Sequence, residues 1–209
     1  IQCVARRIVD RQILALIKMW LKSPVEETDR DGTQRITGGK GNTTGTPQGG
    51  VISPLLANLY INRFLKHWRL TERTRAFRAH VVSYADDFVI LSRGRAAEAL
   101  AWTRGVMTRM GLTINEAKTS IRDARSERFD FLGYTFGPHW RRRDGRKYPG
   151  ASPSGKSVGR VKDKVSDLLV AGNPGTWTEV RDQLNALLRG WSGYFAYGSR
   201  LAAYRAVDR

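Results

Sequence analysis

The chain has 209 residues, 41% of them hydrophobic, enough for one or two domains with cores of their own. Lys and Arg number 36 against 19 Asp and Glu, a net charge of +17 that points to a polyanionic partner, because each phosphate neutralised releases counterions. A single cysteine, Cys3, excludes a disulfide framework and a Cys-rich zinc site and fits a reducing, cytoplasmic compartment, while the lack of any long apolar run excludes a membrane-spanning helix. Six Trp, seven Tyr and seven Phe supply faces on which bases can stack.

Val4, Ile8, Ile13, Leu16, Ile17, Trp20 and Leu21 recur near helical spacing, which predicts one amphipathic helix over roughly the first twenty residues with Asp10 in its middle. Val25 to Thr37 alternates around Asp31-Gly32 and predicts a hairpin, with Asp29 and Asp31 as turn residues. The glycine-rich stretch Gly38 to Gly50 ends in Pro47, which stiffens a segment whose flanking glycines permit close backbone approach to a nucleotide or base. Ser53-Pro54 then reads as N-cap and first residue of a helix whose buried face is Leu55, Leu56, Leu59, Tyr60, Phe64 and Trp68.

The stretch around which the chain is organised follows. Val81-Val82 and Phe88 to Leu91 are β-branched and aromatic runs, and the short polar link Tyr84-Ala85-Asp86-Asp87 between them predicts strand, tight turn, strand. Adjacent carboxylates at a turn repel each other. They suit either a solvated turn or a divalent-cation site for phosphoryl transfer, where hard oxygen ligands hold Mg²⁺. Arg95 to Met110 predicts a helix with Ala97, Leu100, Ala101, Met107 and Met110 on one side and Gly111 as its stop, and Leu112 to Ile114 a strand. Phe129 to Phe136 alternates as one further strand.

Composition shifts at Gly137. Residues 138–155 read as a basic, loop-like linker with Arg141, Arg142, Arg143, Arg146 and Lys147. Two helical patterns come next, one through Val158, Val161, Val165, Leu168 and Leu169, the other through Val180, Leu184, Leu187, Leu188, Trp191 and Phe195, separated by Asn173-Pro174-Gly175. The chain opens on Ile1 and closes inside a helical pattern at Leu201 to Arg209, so it reads as a piece of something longer.

Three segments in order, Gly45 to Asn62, Tyr84-Ala85-Asp86-Asp87, and Gly111 to Thr119 with Phe129 to Tyr134, resemble the reverse transcriptases encoded by group II introns. The run Leu187-Leu188-Arg189-Gly190-Trp191-Ser192-Gly193-Tyr194-Phe195 resembles their maturase segment, which doubles as the polymerase thumb. The resemblance implies an α+β fold: a palm-like antiparallel sheet packed on helices over 1–137, the basic linker 138–155, and a helical thumb/maturase domain over 156–209. It implies RNA-directed DNA synthesis, with Asp86 and Asp87 as catalytic Mg²⁺ ligands, and a two-metal site completed by an aspartate outside the 209 residues, so that this chain alone does not polymerise. Pro47, Gln48, Gly49, Tyr84 and Ala85 would line the deoxynucleotide pocket. Lys118 would protonate the pyrophosphate leaving group, and Phe131, Leu132 and Gly133 would grip the primer. Arg141, Arg142, Arg143, Lys147, Arg189, Trp191 and Tyr194 would bind RNA. The implied partners are intron and template RNA, a DNA primer and deoxynucleoside triphosphates. Two other readings share parts of the pattern, a maturase-type splicing cofactor without polymerase activity and a reverse transcriptase of a retron or diversity-generating element. The intact Asp86-Asp87 speaks against the first and the maturase-like run against the second.

Overall fold

The computed structural model describes residues 2–28, 34–38, 52–85, 87–141 and 143–208. The expected turn residues Asp29 and Asp31, the pocket residues Pro47, Gln48 and Gly49, and also Asp86 and Arg142 lie outside the described residues. The chain divides into two compact units, residues 1–119 and 120–209. The fold is of the α+β class, with small antiparallel sheets among helices.

Unit 1 begins with two helices where one was expected, α1 (Gln2–Ala5) and α2 (Arg11–Lys22). Asp10 is the reason. Its backbone is extended and its carboxylate accepts from the amides of Gln12 and Ile13 at 2.7 and 3.3 Å, so it starts α2 as an N-cap and does not sit mid-helix. Val4, Ile17 and Ile52 form a small buried cluster against which Leu56 and Leu59 pack. The predicted hairpin is present as β1 (Pro24–Thr28) paired antiparallel with β2 (Gln34–Gly38).

α3 (Ser53–Leu70) starts one residue earlier than expected: Ile52 holds the cap position and Pro54 lies in the first turn, where a missing amide costs nothing. Its deepest side chains are Phe64 and Trp68, fully or nearly fully buried, whereas Leu55 and Tyr60, expected on the same face, are exposed. A short α4 (Arg73–Ala76) leads into β3 (Ala79–Tyr84), which pairs with β4 (Asp87–Ser92) in a register that sets Tyr84 opposite Asp87. α5 (Ala96–Arg109) buries Ala99, Thr103, Val106 and Met107, while Ala97 and Ala101 of the expected stripe face solvent. Thr103 is tolerated there because its hydroxyl donates to the Ala99 carbonyl at 2.7 Å. The helix ends in a Schellman arrangement, the Leu112 and Gly111 amides donating to the Met107 and Thr108 carbonyls at 2.9 and 3.0 Å. That cap turns the chain back on itself, so Leu112 to Ile114 forms no strand, although Leu112 and Ile114 still pack on the core.

Unit 2 is built on a three-stranded sheet. The single strand expected over 129–136 is a hairpin, β5 (Phe129–Phe131) and β6 (Tyr134–Trp140), turned at Leu132 and Gly133. Both turn residues have positive φ, +50° and +77°, as a two-residue type I′ turn requires. The expected linker is largely strand: β6 continues to Trp140 and pairs along its length with β7 (Lys147–Pro153). The basic residues Arg141, Arg143 and Arg146 lie in the connection between the two strands, and only Lys147 is in a strand, so the composition marked the tip of a hairpin and not a linker between domains. Three helices follow, α6 (Gly155–Leu168), α7 (Trp177–Tyr194) and α8 (Leu201–Val207). α7 opens with a capping box: Thr176 Oγ1 accepts from the Glu179 amide, and the Glu179 carboxylate accepts from the Thr176 amide at 2.8 Å.

Candidate active site and nucleic-acid interface

The Tyr84–Asp87 turn projects from the most strongly packed part of unit 1. Phe88, one residue into β4, lies 5.3 Å from the Phe64 ring, and Phe64, Trp68, Phe77 and Trp102 continue as a cluster of tilted and edge-on rings. Burial alternates along β3, with Ala79, Val81 and Ser83 turned inward and His80, Val82 and Tyr84 outward. The hairpin is thus anchored along one face and free at its tip. Tyr84 is 65% exposed, Ala85 and Asp87 are exposed, and Ala85 adopts φ +50°. For a non-glycine residue that conformation costs about 1–2 kcal/mol, and such strain collects at functional turns.

Among the described residues no side-chain hydrogen bond or ion pair engages the Asp87 carboxylate, and no three His, Cys, Asp or Glu side chains converge on a metal-sized site. Asp87 fits Mg²⁺ in donor chemistry, as an exposed oxygen ligand on a braced turn. Lys118 is exposed in the turn after Asn115, whose carbonyl and side-chain oxygen accept from the Lys118 amide at 3.1 and 3.2 Å. The same loop is pinned to α5 by Arg104, whose guanidinium holds Glu116 through two hydrogen bonds and keeps that carboxyl below the usual glutamate range. Within unit 1 no hydrogen bond or ion pair among the described residues links Lys118 to the hairpin tip.

In unit 2 the structure joins some expected residues and separates others. The Leu132-Gly133 turn is held by Tyr194, whose hydroxyl donates to the Leu132 carbonyl at 2.9 Å while its own carbonyl accepts from Tyr134 Oη at 2.8 Å. The Gly133 carbonyl accepts from Ser157 Oγ at 2.9 Å and from the Ser154 amide at 2.8 Å. Tyr134, Ser154 and Ser157 were not singled out from sequence. The Leu-Gly dipeptide between alternating residues was the signal for the turn, and nothing local signalled the two serines. Arg141, Arg143 and Lys147 lie at the far end of the β6–β7 hairpin, about 20 Å away for strands of this length. There Asp144 draws on Arg141 and Arg146 at 3.5 and 3.7 Å, leaving Arg143 and Lys147 exposed beside them.

Arg189 is exposed on α7. Trp191 is half-buried, its ring packed against Phe195 and Tyr204 at 5.2 and 5.5 Å, and its indole N–H is buried without a hydrogen-bond partner. Tyr194 is 58% exposed.

Comparison with known proteins accords with this architecture. The sequence model of a family described as reverse transcriptase (RNA-dependent DNA polymerase) matches residues 1–136, and that of the group II intron maturase-specific domain matches residues 158–209. Protein YkfC of Escherichia coli (strain K12) is 29% identical, over 64% of this chain and 41% of its own length, so the chain spans about two-fifths of that relative. No helix among the described residues is long and apolar enough to cross a membrane. The chain belongs to the reverse transcriptase (RNA-dependent DNA polymerase) family, in its group II intron-encoded reverse transcriptase/maturase branch.

Proposed function

We propose that the protein carrying this chain is an RNA-directed DNA polymerase that adds deoxynucleotides to a DNA primer on an RNA template, and that it binds its intron RNA to assist splicing and mobility. The observation that carries the reading is the exposure of Tyr84, Ala85 and Asp87, with Ala85 strained at φ +50°, on a hairpin raised from an aromatic base, in a chain of this family. Asp86 and Asp87 would hold Mg²⁺, with a further aspartate from outside the 209 residues. Mg²⁺ bound there supplies charge stabilisation for the attacking and leaving oxygens of an in-line displacement.

The rest is assigned to the chain's own side chains. Pro47, Gln48 and Gly49, with Tyr84 and Ala85, would shape the deoxynucleotide pocket, and Lys118 would deliver a proton to the departing pyrophosphate oxygen, a task worth ~10²–10⁴-fold. The locked turn at Phe131, Leu132 and Gly133 would seat the primer end. Arg141, Arg142, Arg143, Lys147, Arg189, Trp191 and Tyr194 would contact RNA.

Asp86→Asn in the full-length protein is the test. Primer extension falls by orders of magnitude because the charge balancing two dications is removed, while RNA affinity stays within error because every cation that meets a phosphate is retained. Extension at the wild-type rate would overturn the assignment. The isolated 209-residue chain is expected to bind structured RNA without extending a primer.

A further inference from the structure

Unit 1 carries a second charged surface at the end of the β3–β4 hairpin opposite the catalytic turn, roughly 15–20 Å from it for strands of six residues. The chain enters β3 from α4 and leaves β4 through Ser92 to Arg95, and backbone hydrogen bonds stitch the two passages together. The Arg78 amide donates to the Arg75 carbonyl at 3.2 Å, and the Arg93 amide to the Arg78 carbonyl at 3.1 Å. The Arg95 guanidinium donates to the Ala76 carbonyl at 2.7 Å.

Arg75, Arg78 and Arg93 therefore leave the backbone from adjoining positions, and all three are exposed. The acidic residues nearby in the chain are Glu72 and Glu98, and Glu98 pairs with Arg95 at 3.7 Å. Among the described residues no ion pair is made by Arg75, Arg78 or Arg93. Three unneutralised arginines rooted at adjoining backbone positions concentrate positive charge, and a polyanion relieves their repulsion. Arg78 also holds φ +46°, a conformation in which an arginine is strained and a glycine would not be.

The aromatic residues decide which polyanion. Unpaired strands are held on exposed ring faces, with bases stacked on them. Here Trp68 and Phe77 are 2% and 7% exposed. The Trp102 ring is covered, by His67 stacked at 5.4 Å and by the Arg73 guanidinium at 5.2 Å. Among the described residues, apart from the small His80 imidazole, the corner offers cationic donors and no stacking platform. A-form RNA stems are recognised through phosphates and 2′-hydroxyls and by shape, without unstacked bases.

We infer that Arg75, Arg78 and Arg93 form a docking surface for the phosphate backbone of a double-stranded RNA stem, at the opposite end of the hairpin from the turn that bears Asp86 and Asp87. The choice of RNA rests on the partner reading proposed above. The geometry of the arginines does not.

The 209-residue chain tests it by salt titration against a generic RNA stem-loop and an unpaired RNA strand of equal length. The variant combines Arg75→Gln, Arg78→Gly and Arg93→Gln, with thermal melting followed as a check on folding. The slope of log K against log salt on the stem-loop falls by about three units, close to one for each arginine removed, and the slope on the unpaired strand moves by less than about one. If the triple variant melts early, Arg78→Gly alone, at a position where glycine is unstrained, still lowers the stem-loop slope by about one unit. An unchanged stem-loop slope overturns the inference and leaves the RNA-partner reading standing, as do equal losses on stem and strand. Failure of the wild-type chain to bind either RNA overturns both.

Discussion

Replacing Gly133 by alanine tests how the Leu132-Gly133 turn of unit 2 is held. Gly133 sits at φ +77°, where an L residue loses about 1–2 kcal/mol. A Cβ built there meets Ser157 Oγ at 3.0 Å and the Phe195 ring at 3.2 Å. Ser157 can rotate away only by giving up its hydrogen bonds to the Gly133 carbonyl and Ser154 Oγ, each worth ~1 kcal/mol. Phe195 is 5% exposed and wedged between Tyr134 and Trp191, with ring centroids 4.9 and 5.2 Å away, so crowding it adds ~1–3 kcal/mol. One of the two neighbours must yield, giving a total near 2–5 kcal/mol.

Gly145→Ala isolates the backbone contribution, since Gly145 has φ +65° with open space around its would-be Cβ, and should cost only about 1–2 kcal/mol. In urea, with a slope of ~1–3 kcal/mol per molar, Gly133→Ala should unfold at a midpoint about 1–2 M below that of Gly145→Ala. Equal midpoints for the two variants would show that the turn is not clamped between Ser157 and Phe195.

Phe64→Ala should destabilise unit 1 by ~3–5 kcal/mol, read by chemical denaturation, because a fully buried ring touching Trp68, Phe88 and Trp102 leaves a cavity that the rigid cluster does not refill. Gln48→Ala in the full-length protein should raise the apparent KM for deoxynucleotides in primer extension more than it weakens RNA binding; unchanged kinetics would leave that segment without a role in the pocket. Thr176→Ala should cost about 1 kcal/mol by removing the N-cap of α7. The Thr176 amide and hydroxyl hold the Glu179 carboxyl below its ordinary value of 4.5, so the stabilisation is present above that value and is lost as pH falls through the depressed folded-state pKa. Thermal melting of wild type and Glu179→Gln should therefore converge in acid, and a constant gap across pH would contradict the linkage.

The hairpin that carries the candidate site was legible in sequence because its signals are local. Two β-branched runs around Tyr84 to Asp87 specify a tight hairpin whatever surrounds it, and the helical spacing from Val180 to Phe195 specifies α7. The alternation at 129–136 was equally visible, yet alternation does not say where a strand reverses. The reversal at Leu132 and Gly133 is held by Tyr194 and Ser157, far along the chain, whose hydroxyls donate to the two turn carbonyls.

The tertiary structure alone decided which charges and rings are free. Arg78 and Arg93 are fifteen residues apart in sequence and joined by one backbone hydrogen bond, so their shared surface exists only through the β3–β4 register. Trp191 read as a candidate for binding RNA, and the fold alone shows that Phe195 and Tyr204 pack against its ring. Residue type and spacing determine what a side chain can do; pairing between distant segments determines what it faces, and that pairing is set by the burial of many residues together.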